Sequence, residues 1–360
     1  MNNIPYLLAL HSIDGLGPIR LKNILDYFKD PKLAWEAKGG ELLNLGIPKP
    51  TIDLLVETRK KLDPQTYAES IKNSGISYLT SFDDNYPKLL KQIYDPPTVI
   101  YFKGQLKDEE KTLAVVGTRK ITGYGRVVTE KFVRGLVAAG LTIVSGLAKG
   151  VDSQAHLSTI KSGGRTIAVL GGGLNYIYPP ENRSLAEQIV ESGGAVMSEF
   201  PPDYPSLPGN FPSRNRIISG LSQGVLVVEA AEDSGSLITA RLALEQGREV
   251  FAVPGPITSN LSKGPIDLIK EGARVVMNAE EILDELGINQ VQSSKIKVSN
   301  EDLSKDEAQI LDILENEQLH IDEICRKLDL SAAKVSGTLL KMEISGLVQN
   351  LGSGMYCKLI

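Results

Sequence analysis

From Leu113 onward the chain repeats one pattern: a short run of Val, Ile and Ala, a turn at Gly, Ser or Pro, then an amphipathic helical stretch. The runs are LAVVG, LTIVSG, TIAVLGGG, AVMSEF, GVLVVEA, EVFAVPG and RVVM. YGRVVTEKFVRGLVAAG and SLITARLALEQG are typical of the segments between them. Near-continuous apolar strands alternating with helices require a mostly parallel sheet with helices on both faces, a Rossmann-like α/β fold. Residues 81–288 are assigned to this domain, with 81–110, which contain YPKLLKQIYDPPTVIYFKG, as a lead-in that packs onto the sheet.

The flanks differ. Residues 1–80 read as short helices: Gly15-Leu16-Gly17 precedes Pro18 at a natural first helical position, and Leu21, Ile24, Leu25 and Phe28 follow at helical spacing. LLNLGIPKPTIDLLVE is a weaker echo. Two helices joined by a Gly-x-Gly turn suggest a helix-hairpin-helix or SAM-like domain, whose turn amides can accept a DNA phosphate; a purely structural helical domain fits equally. Residues 289–303 are polar and non-periodic, a linker. Residues 304–360 read as three short helices and a glycine-tipped hairpin, a winged helix, with Ser331 as N-cap of the third helix. That helix carries only Lys334 and Lys341 as basic residues, so a protein-interaction or packing module is favoured over a duplex reader.

In an open parallel sheet, ligands bind outside the carboxyl ends of the strands. Four glycine-bearing turns fall there: Gly117-Thr118-Arg119, Ser145-Gly146-Leu147-Ala148-Lys149-Gly150, Gly171-Gly172-Gly173 and Ser234-Gly235-Ser236. Glycine lets backbone amides approach an anion, and a following helix aims its positive end at that anion. Arg119, Arg183, Arg214 and Arg216 supply guanidinium forks for phosphate oxygens, and Asn182 and Asn215 supply amides. Tyr176, Tyr178, Tyr204 and Phe211 lie in long loops, where aromatics can stack on bases.

The net charge of −5 argues at first sight against nucleic acid, but net charge does not report local fields. The first 80 residues hold 10 basic and 9 acidic side chains, and the stretch from Lys295 holds 8 and 11. A polyanion must therefore be held at a shaped local site. P-loop and dinucleotide fingerprints are both missing, which argues against an NTPase and against NAD. The three histidines are scattered, no metal-ligand cluster or catalytic triad is apparent, and neither metal nor cofactor is expected. His156 is expected to make a local hydrogen bond. The two cysteines, Cys325 and Cys357, have no paired spacing. With no signal peptide and no apolar run long enough for a bilayer, a cytoplasmic protein without membrane contact is expected.

The blocks VGTRKITGYGR, IVSGLAKGVDSQAH, TIAVLGGGLNYIYPPENRSL, SEFPPDYPSLPGNFPSRNRIISGLS and EAAEDSGSLITARLALEQGREVFAVPGPI resemble, in order, the signature blocks of the DprA (Smf) family. The resemblance implies a protein that binds single-stranded DNA during natural transformation, dimerises through its Rossmann-like domain and loads the recombinase RecA. It puts the arginine of the family's G-S-R motif at Arg119, with Thr118 in place of serine. The S-G-x-A block gives Ser145, Gly146 and Ala148. The basic residue after Y-P-x-x-N falls on Arg183, and F-P-x-R-N-R gives Phe211, Arg214, Asn215 and Arg216. Some relatives carry a lysine a few residues before the phenylalanine, where this chain has Leu207-Pro208-Gly209-Asn210. An enzymatic alternative is a LOG-type phosphoribohydrolase, which uses P-G-G-x-G-T-x-x-E on a similar fold. Aligning its G-T with Gly235-Ser236 puts Thr239 where that family has its glutamate, which removes the carboxylate needed for an oxocarbenium-like transition state. A non-catalytic nucleotide carrier is a third possibility. Leu237, Ile238, Leu242 and Leu244 are candidates for a dimer face, although burial against the sheet accounts for most of them.

Overall fold

The structure is a computed structural model that describes residues 3–288, 304–315, 317–344, 347–352 and 354–358. The chain divides into two compact units, Met1–Asn289 and Gln290–Ile360. The segment expected to be a linker, 289–303, lies outside the described residues.

The first unit opens with six helices: α1 (Ile4–His11), α2 (Pro18–Phe28), α3 (Pro31–Glu36), α4 (Gly39–Asn44), α5 (Lys49–Arg59) and α6 (Pro64–Asn73). Helix α2 starts at Pro18 as expected, because proline's missing N–H costs nothing at a first helical position. The boundary drawn at residue 80 falls at the end of a strand, β1 (Ser77–Thr80), so the last residues of the helical segment belong to the sheet. Then follow α7 (Lys88–Lys91), β2 (Val99–Gly104), β3 (Thr112–Val116), α8 (Gly123–Ala138), β4 (Thr142–Ser145), α9 (Val151–Lys161) and β5 (Thr166–Leu170). The rest of the unit is α10 (Arg183–Glu191), β6 (Ala195–Ser198), α11 (Asn210–Gly220), β7 (Gly224–Val227), α12 (Gly235–Glu245), β8 (Glu249–Ala252), α13 (Lys263–Lys270), β9 (Arg274–Val275) and α14 (Ala279–Glu285).

The nine strands form one sheet in the order β1-β2-β6-β5-β4-β3-β7-β8-β9. From β6 to β9 every pairing is parallel. The lead-in contributes β2, antiparallel to β6, and the end of the preceding segment contributes β1, antiparallel to β2. Strand alternation sorts the side chains. Leu113 and Val115 pack with Phe132, Val133 and Leu136 of α8 on one face. Ala114 and Val116 pack with Ile217 of α11 and Ala240 of α12 on the other. The N-terminal helices share a core with Val99, Tyr101, Ala168, Leu170 and Ile189, so they are built onto the sheet.

The chain steps outward from β3 through β4 and β5 to β6, then returns to place β7 on the other side of β3. That reversal splays the loops leaving β3 and β7 and opens a crevice at the carboxyl ends of these strands.

In the second unit, α15 (Lys305–Ile313), β10 (Leu319–His320), α16 (Ile321–Leu328), α17 (Ala332–Ile344), β11 (Val348–Gly352) and β12 (Met355–Lys358) enclose Ile310, Ile324, Val335, Leu339 and Val348. The sheet order β10-β12-β11 is a three-stranded wing. Ser331 Oγ accepts the Lys334 amide at 3.4 Å, the expected cap of the third helix. Lys334 pairs with Asp306 at 2.7 Å and Lys341 with Glu307 at 3.0 Å, so both lysines of that helix are tied to acids of α15.

Candidate nucleic-acid interface at the switch point

A cleft of about 480 Å³ occupies the crevice between the loops after β3 and β7. The loop after β3 brings Gly117 and Arg119 to it, α11 brings Phe211, Arg214 and Asn215, and the start of α12 brings Ser234, Gly235 and Ser236. A recess beside it adds Gly146 and Lys149. Tyr178, Phe211 and Arg119 line both spaces.

These three side chains form a ladder. The exposed Arg119 guanidinium lies 5.7 Å from the centre of the Phe211 ring, and that ring is 5.5 Å from the half-exposed ring of Tyr178, tilted by 42°. Cation–aromatic–aromatic contact orients an arginine without using its hydrogen-bond donors. Those donors remain available to phosphate while the rings offer faces to bases.

The ladder's root is fixed from below. Thr118 donates its amide to the Glu229 carbonyl at 2.6 Å. The buried Glu229 carboxylate accepts the Thr122 amide at 3.0 Å and its hydroxyl at 2.6 Å. Thr122 in turn caps α8 by accepting the Gly125 amide. Across the cleft, Ser234 caps α12, and Asn215 Nδ2 donates to the Gly235 carbonyl at 3.2 Å. The positive end of α12 thus opens into the cleft.

Several residues expected in the site serve elsewhere. Arg214 is only 4% exposed: its Nη1 donates to the carbonyls of Gly146 (2.6 Å) and Val169. Burial lowers its pKa to about 10, opposed by neighbouring Asp152, so it stays charged at neutral pH. The glycine at 146 is needed because a Cβ there would meet this guanidinium. The Gly146 and Ala148 amides donate to the buried Asp152 carboxylate at 3.1 and 3.3 Å, so this turn already holds an anion of the protein's own. Burial raises the Asp152 pKa and Arg214 counteracts it. Ser145 is fully buried and donates to the Val115 carbonyl at 2.7 Å.

Gly171, Gly172 and Gly173 are buried under the 201–211 loop, where a Cβ would run into Phe211, Ser206 and the carbonyls of Pro201 and Pro202 respectively. They permit close packing and do not face the cleft. Asn182 Nδ2 binds the Leu147 carbonyl (2.7 Å) and Ser153 Oγ (2.9 Å), bracing the loop after β4. Arg183 lines a separate groove with Lys103 and Asn175. Arg216 is 7% exposed and ion-paired to Asp95 and Glu199, which removes it from the cleft. Lys149 sits on the rim, paired with Glu181 at 2.7 Å where both are exposed, a contact too solvated to hold it firmly.

His156 makes the local bond expected of it, but to Thr166 Oγ1 at 2.7 Å. Thr239, buried at the cleft wall, presents a hydroxyl at the position compared with a hydrolase glutamate. On α12, Leu237 is buried while Ile238 and Leu244 are exposed. Asp152 and Glu229 were not singled out from the sequence. Asp152 had a signal, an acid in the first turn of α9. Glu229 had none, since its partner lies more than 100 residues away. Among the described residues there is no cluster fit for a metal ion, and no helix is long and apolar enough to cross a membrane.

A Rossmann-like sheet with a cation–aromatic ladder at its switch point and an appended winged helix defines the class: a doubly wound α/β protein with an open cleft outside its strand ends. The family model described as DNA recombination-mediator protein A matches residues 77–287, and the DprA winged helix domain matches 297–354. Protein Smf of Synechocystis is 37% identical over 95% of this chain and 96% of its own length. DNA processing protein DprA of Bacillus subtilis is 46% identical over 61% of this chain and 75% of its own. The X-ray structure of Streptococcus pneumoniae DprA superposes with a TM-score of 0.69 at 37% identity, covering 79% of this chain and 99% of that one. A Helicobacter pylori DNA processing protein A, solved for its single-stranded DNA binding mode, gives 0.53 at 32% identity, covering 59% and 95%. The chain belongs to the DprA (Smf) family of DNA-processing proteins.

Proposed function

We propose that this protein binds single-stranded DNA, largely through its phosphate backbone, across the switch-point cleft, and does so without catalysing a reaction on it. The observation that carries the reading is the Arg119–Phe211–Tyr178 ladder. It sets an exposed guanidinium beside aromatic faces at the mouth of a cleft floored by a helix N-terminus. Single strands offer this arrangement unstacked bases and a flexible backbone together, whereas duplex hides the base faces. The relative solved for its single-stranded DNA binding mode supports the choice of ligand.

A passive role is supported by the chemistry of the cleft walls. The carboxylate present, Asp152, is committed to two amides and lies against Arg214, and Thr239 offers no charge to a developing cation. On family membership we extend the proposal to protection of incoming DNA in the cytoplasm, delivery of the strand to RecA, and a homodimer through the Rossmann-like domain. The outer strand β9, with Val275 exposed and Met277 exposed just beyond its end, is compatible with that dimer.

Fluorescence anisotropy with labelled oligonucleotides tests the core claim. Single strands should bind well ahead of duplex, with log affinity falling against log salt at a slope of about −0.7 per phosphate neutralised. Equal affinity for both forms would refute it. Release of free base from nucleoside monophosphates, surviving repurification, would instead establish the hydrolase. A pull-down tests RecA separately.

A further inference from the structure

Helix α11 lines two spaces. Phe211, Arg214 and Asn215 face the cleft, while Asn210, Ser213 and Arg216 line a second groove, also of about 480 Å³. That volume lies within the roughly 300–1,000 Å³ of small-molecule sites. Arg216, Asp95 and Glu199 line the groove together, with Pro18 and Ile19 of α2 and Phe200 supplying apolar walls.

The polar cluster is unusual in what it leaves open. The Arg216 side chain is 9% exposed; its Nε binds Asp95 Oδ2 at 3.0 Å, Nη2 binds Glu199, and Nη1 has no partner. That atom is closed to solvent, so what the groove offers a ligand is the exposed part of Asp95 and the exposed guanidinium of Arg20. Asp95 engages Arg216 through one oxygen and keeps its side chain 31% exposed. The groove thus sets a carboxylate acceptor beside a guanidinium donor.

Its charge argues against phosphate. Two carboxylates outnumber Arg216, and Arg20 at the rim, which donates to the Gly15 carbonyl, only restores neutrality. A neutral planar ligand with donors and acceptors along one edge fits better. Guanine presents two adjacent donors, N1–H and the 2-amino group, which a carboxylate accepts together, and O6 next to them for a guanidinium. Adenine lacks the ring donor, and thymine and cytosine each lack the adjacent donor pair. The walls suit a flat ring: Ile19 is 52% exposed, and Phe200 is backed by Tyr204 at 5.0 Å and 21°.

We propose that this groove is a guanine-selective subsite, filled by one base of a bound strand or by a free guanine nucleotide. The first source rests on the strand-binding reading. The shared helix makes it reachable, because Asn210 lies next to Phe211 in the chain and lines the groove.

Two arms separate the sources. In the first, thymine oligonucleotides carrying a single guanine, hypoxanthine or adenine are compared by anisotropy. In the second, GMP and AMP are titrated calorimetrically. Guanine should improve strand affinity roughly tenfold, as expected of a paired base contact, and hypoxanthine, which lacks the 2-amino group, should lose most of that gain. Asp95→Asn should abolish the preference while all-thymine affinity stays unchanged, and Ile19→Ala should weaken it, with thermal melts confirming that both variants fold. Absence of any guanine preference in both arms, or a preference that survives Asp95→Asn, would overturn the proposal. If all-thymine strands fail to bind, the strand reading falls alone: GMP binding lost in Asp95→Asn would still support the subsite, and no GMP binding would overturn it too.

Discussion

Arg119 and Arg214 both line the cleft, yet replacing them should produce different failures. Arg119 is exposed and contacts the Phe211 ring, so on the proposed function Arg119→Ala should remove a phosphate donor and leave the fold intact. Loss of a charge-assisted contact costs about 1.5–3 kcal/mol, or roughly tenfold to a hundredfold in Kd, and one phosphate contact fewer makes the salt slope shallower by about 0.7. Arg214 is 4% exposed and binds two carbonyls beside the buried Asp152. Arg214→Ala leaves the Gly146 and Val169 carbonyls without their charged donor and Asp152 without its neighbouring positive charge, and each charge-assisted bond lost costs about 1.5–3 kcal/mol. At about 2–4 °C per kcal/mol for a unit of this size, the melting temperature should fall on the order of 10 °C. Differential scanning fluorimetry beside anisotropy, on wild type and both variants, separates the two effects. Arg214→Ala melting with wild type while losing strand affinity would refute the assignment of Arg214 to structure and return it to the phosphate ligands.

Other perturbations probe the same architecture. Phe211→Ala should weaken single-strand binding by about 1–3 kcal/mol, the value of one stacked base, while unchanged anisotropy curves would remove Phe211 from the interface. Gly173→Ala sets a methyl against the Pro201 and Pro202 carbonyls and should cost about 1–3 kcal/mol of stability with a parallel loss of affinity; a wild-type urea midpoint would show that the 201–211 loop yields freely. His156 is fully buried, and desolvation lowers its pKa from 6.5 to about 3. Between these values the unfolded chain binds the extra proton and the folded one does not, so this residue's contribution falls as pH drops from about 6.5 to about 3. His156→Gln should therefore lose less stability than wild type over that window in urea titrations, and parallel curves would contradict the burial argument.

The sheet was readable because its signal is local. Seven apolar runs separated by helices leave few alternatives to a doubly covered parallel sheet, and each run became a strand from β3 to β9. The cap at Ser331 and the start of α2 at Pro18 were readable for the same reason. The site was readable only as far as the loops that make it. That glycines are needed at 146 and 171–173 followed from the pattern, but the reason they are needed did not. A glycine that admits an arginine or a proline carbonyl looks identical in sequence to one that admits a phosphate. Arg214 and Arg216 sit two residues apart on one helix and have different surroundings, one reaching the Gly146 and Val169 carbonyls and the other Asp95 and Glu199. Residues i and i+2 of a helix do not share a face, and their partners come from remote loops that no local pattern reveals.

These partners also bear on how an acidic chain would hold a polyanion under the proposed function. Part of the positive charge expected to make the field is already engaged: Arg216 by two carboxylates, and Arg214 by two carbonyls near Asp152. In the cleft, Arg119 and the N-terminus of α12 stand out as exposed positive ends free of an acidic partner in the contacts observed. A field this sparse cannot grip duplex through bulk attraction, since affinity of that kind scales with the number of phosphates neutralised. It can hold a strand that contributes its own base stacking to Phe211 and Tyr178. Preference for single-stranded DNA would then come from a shortage of charge as much as from the aromatic faces: with few cations to spend on phosphates, only a ligand with exposed bases gains enough contact to stay bound.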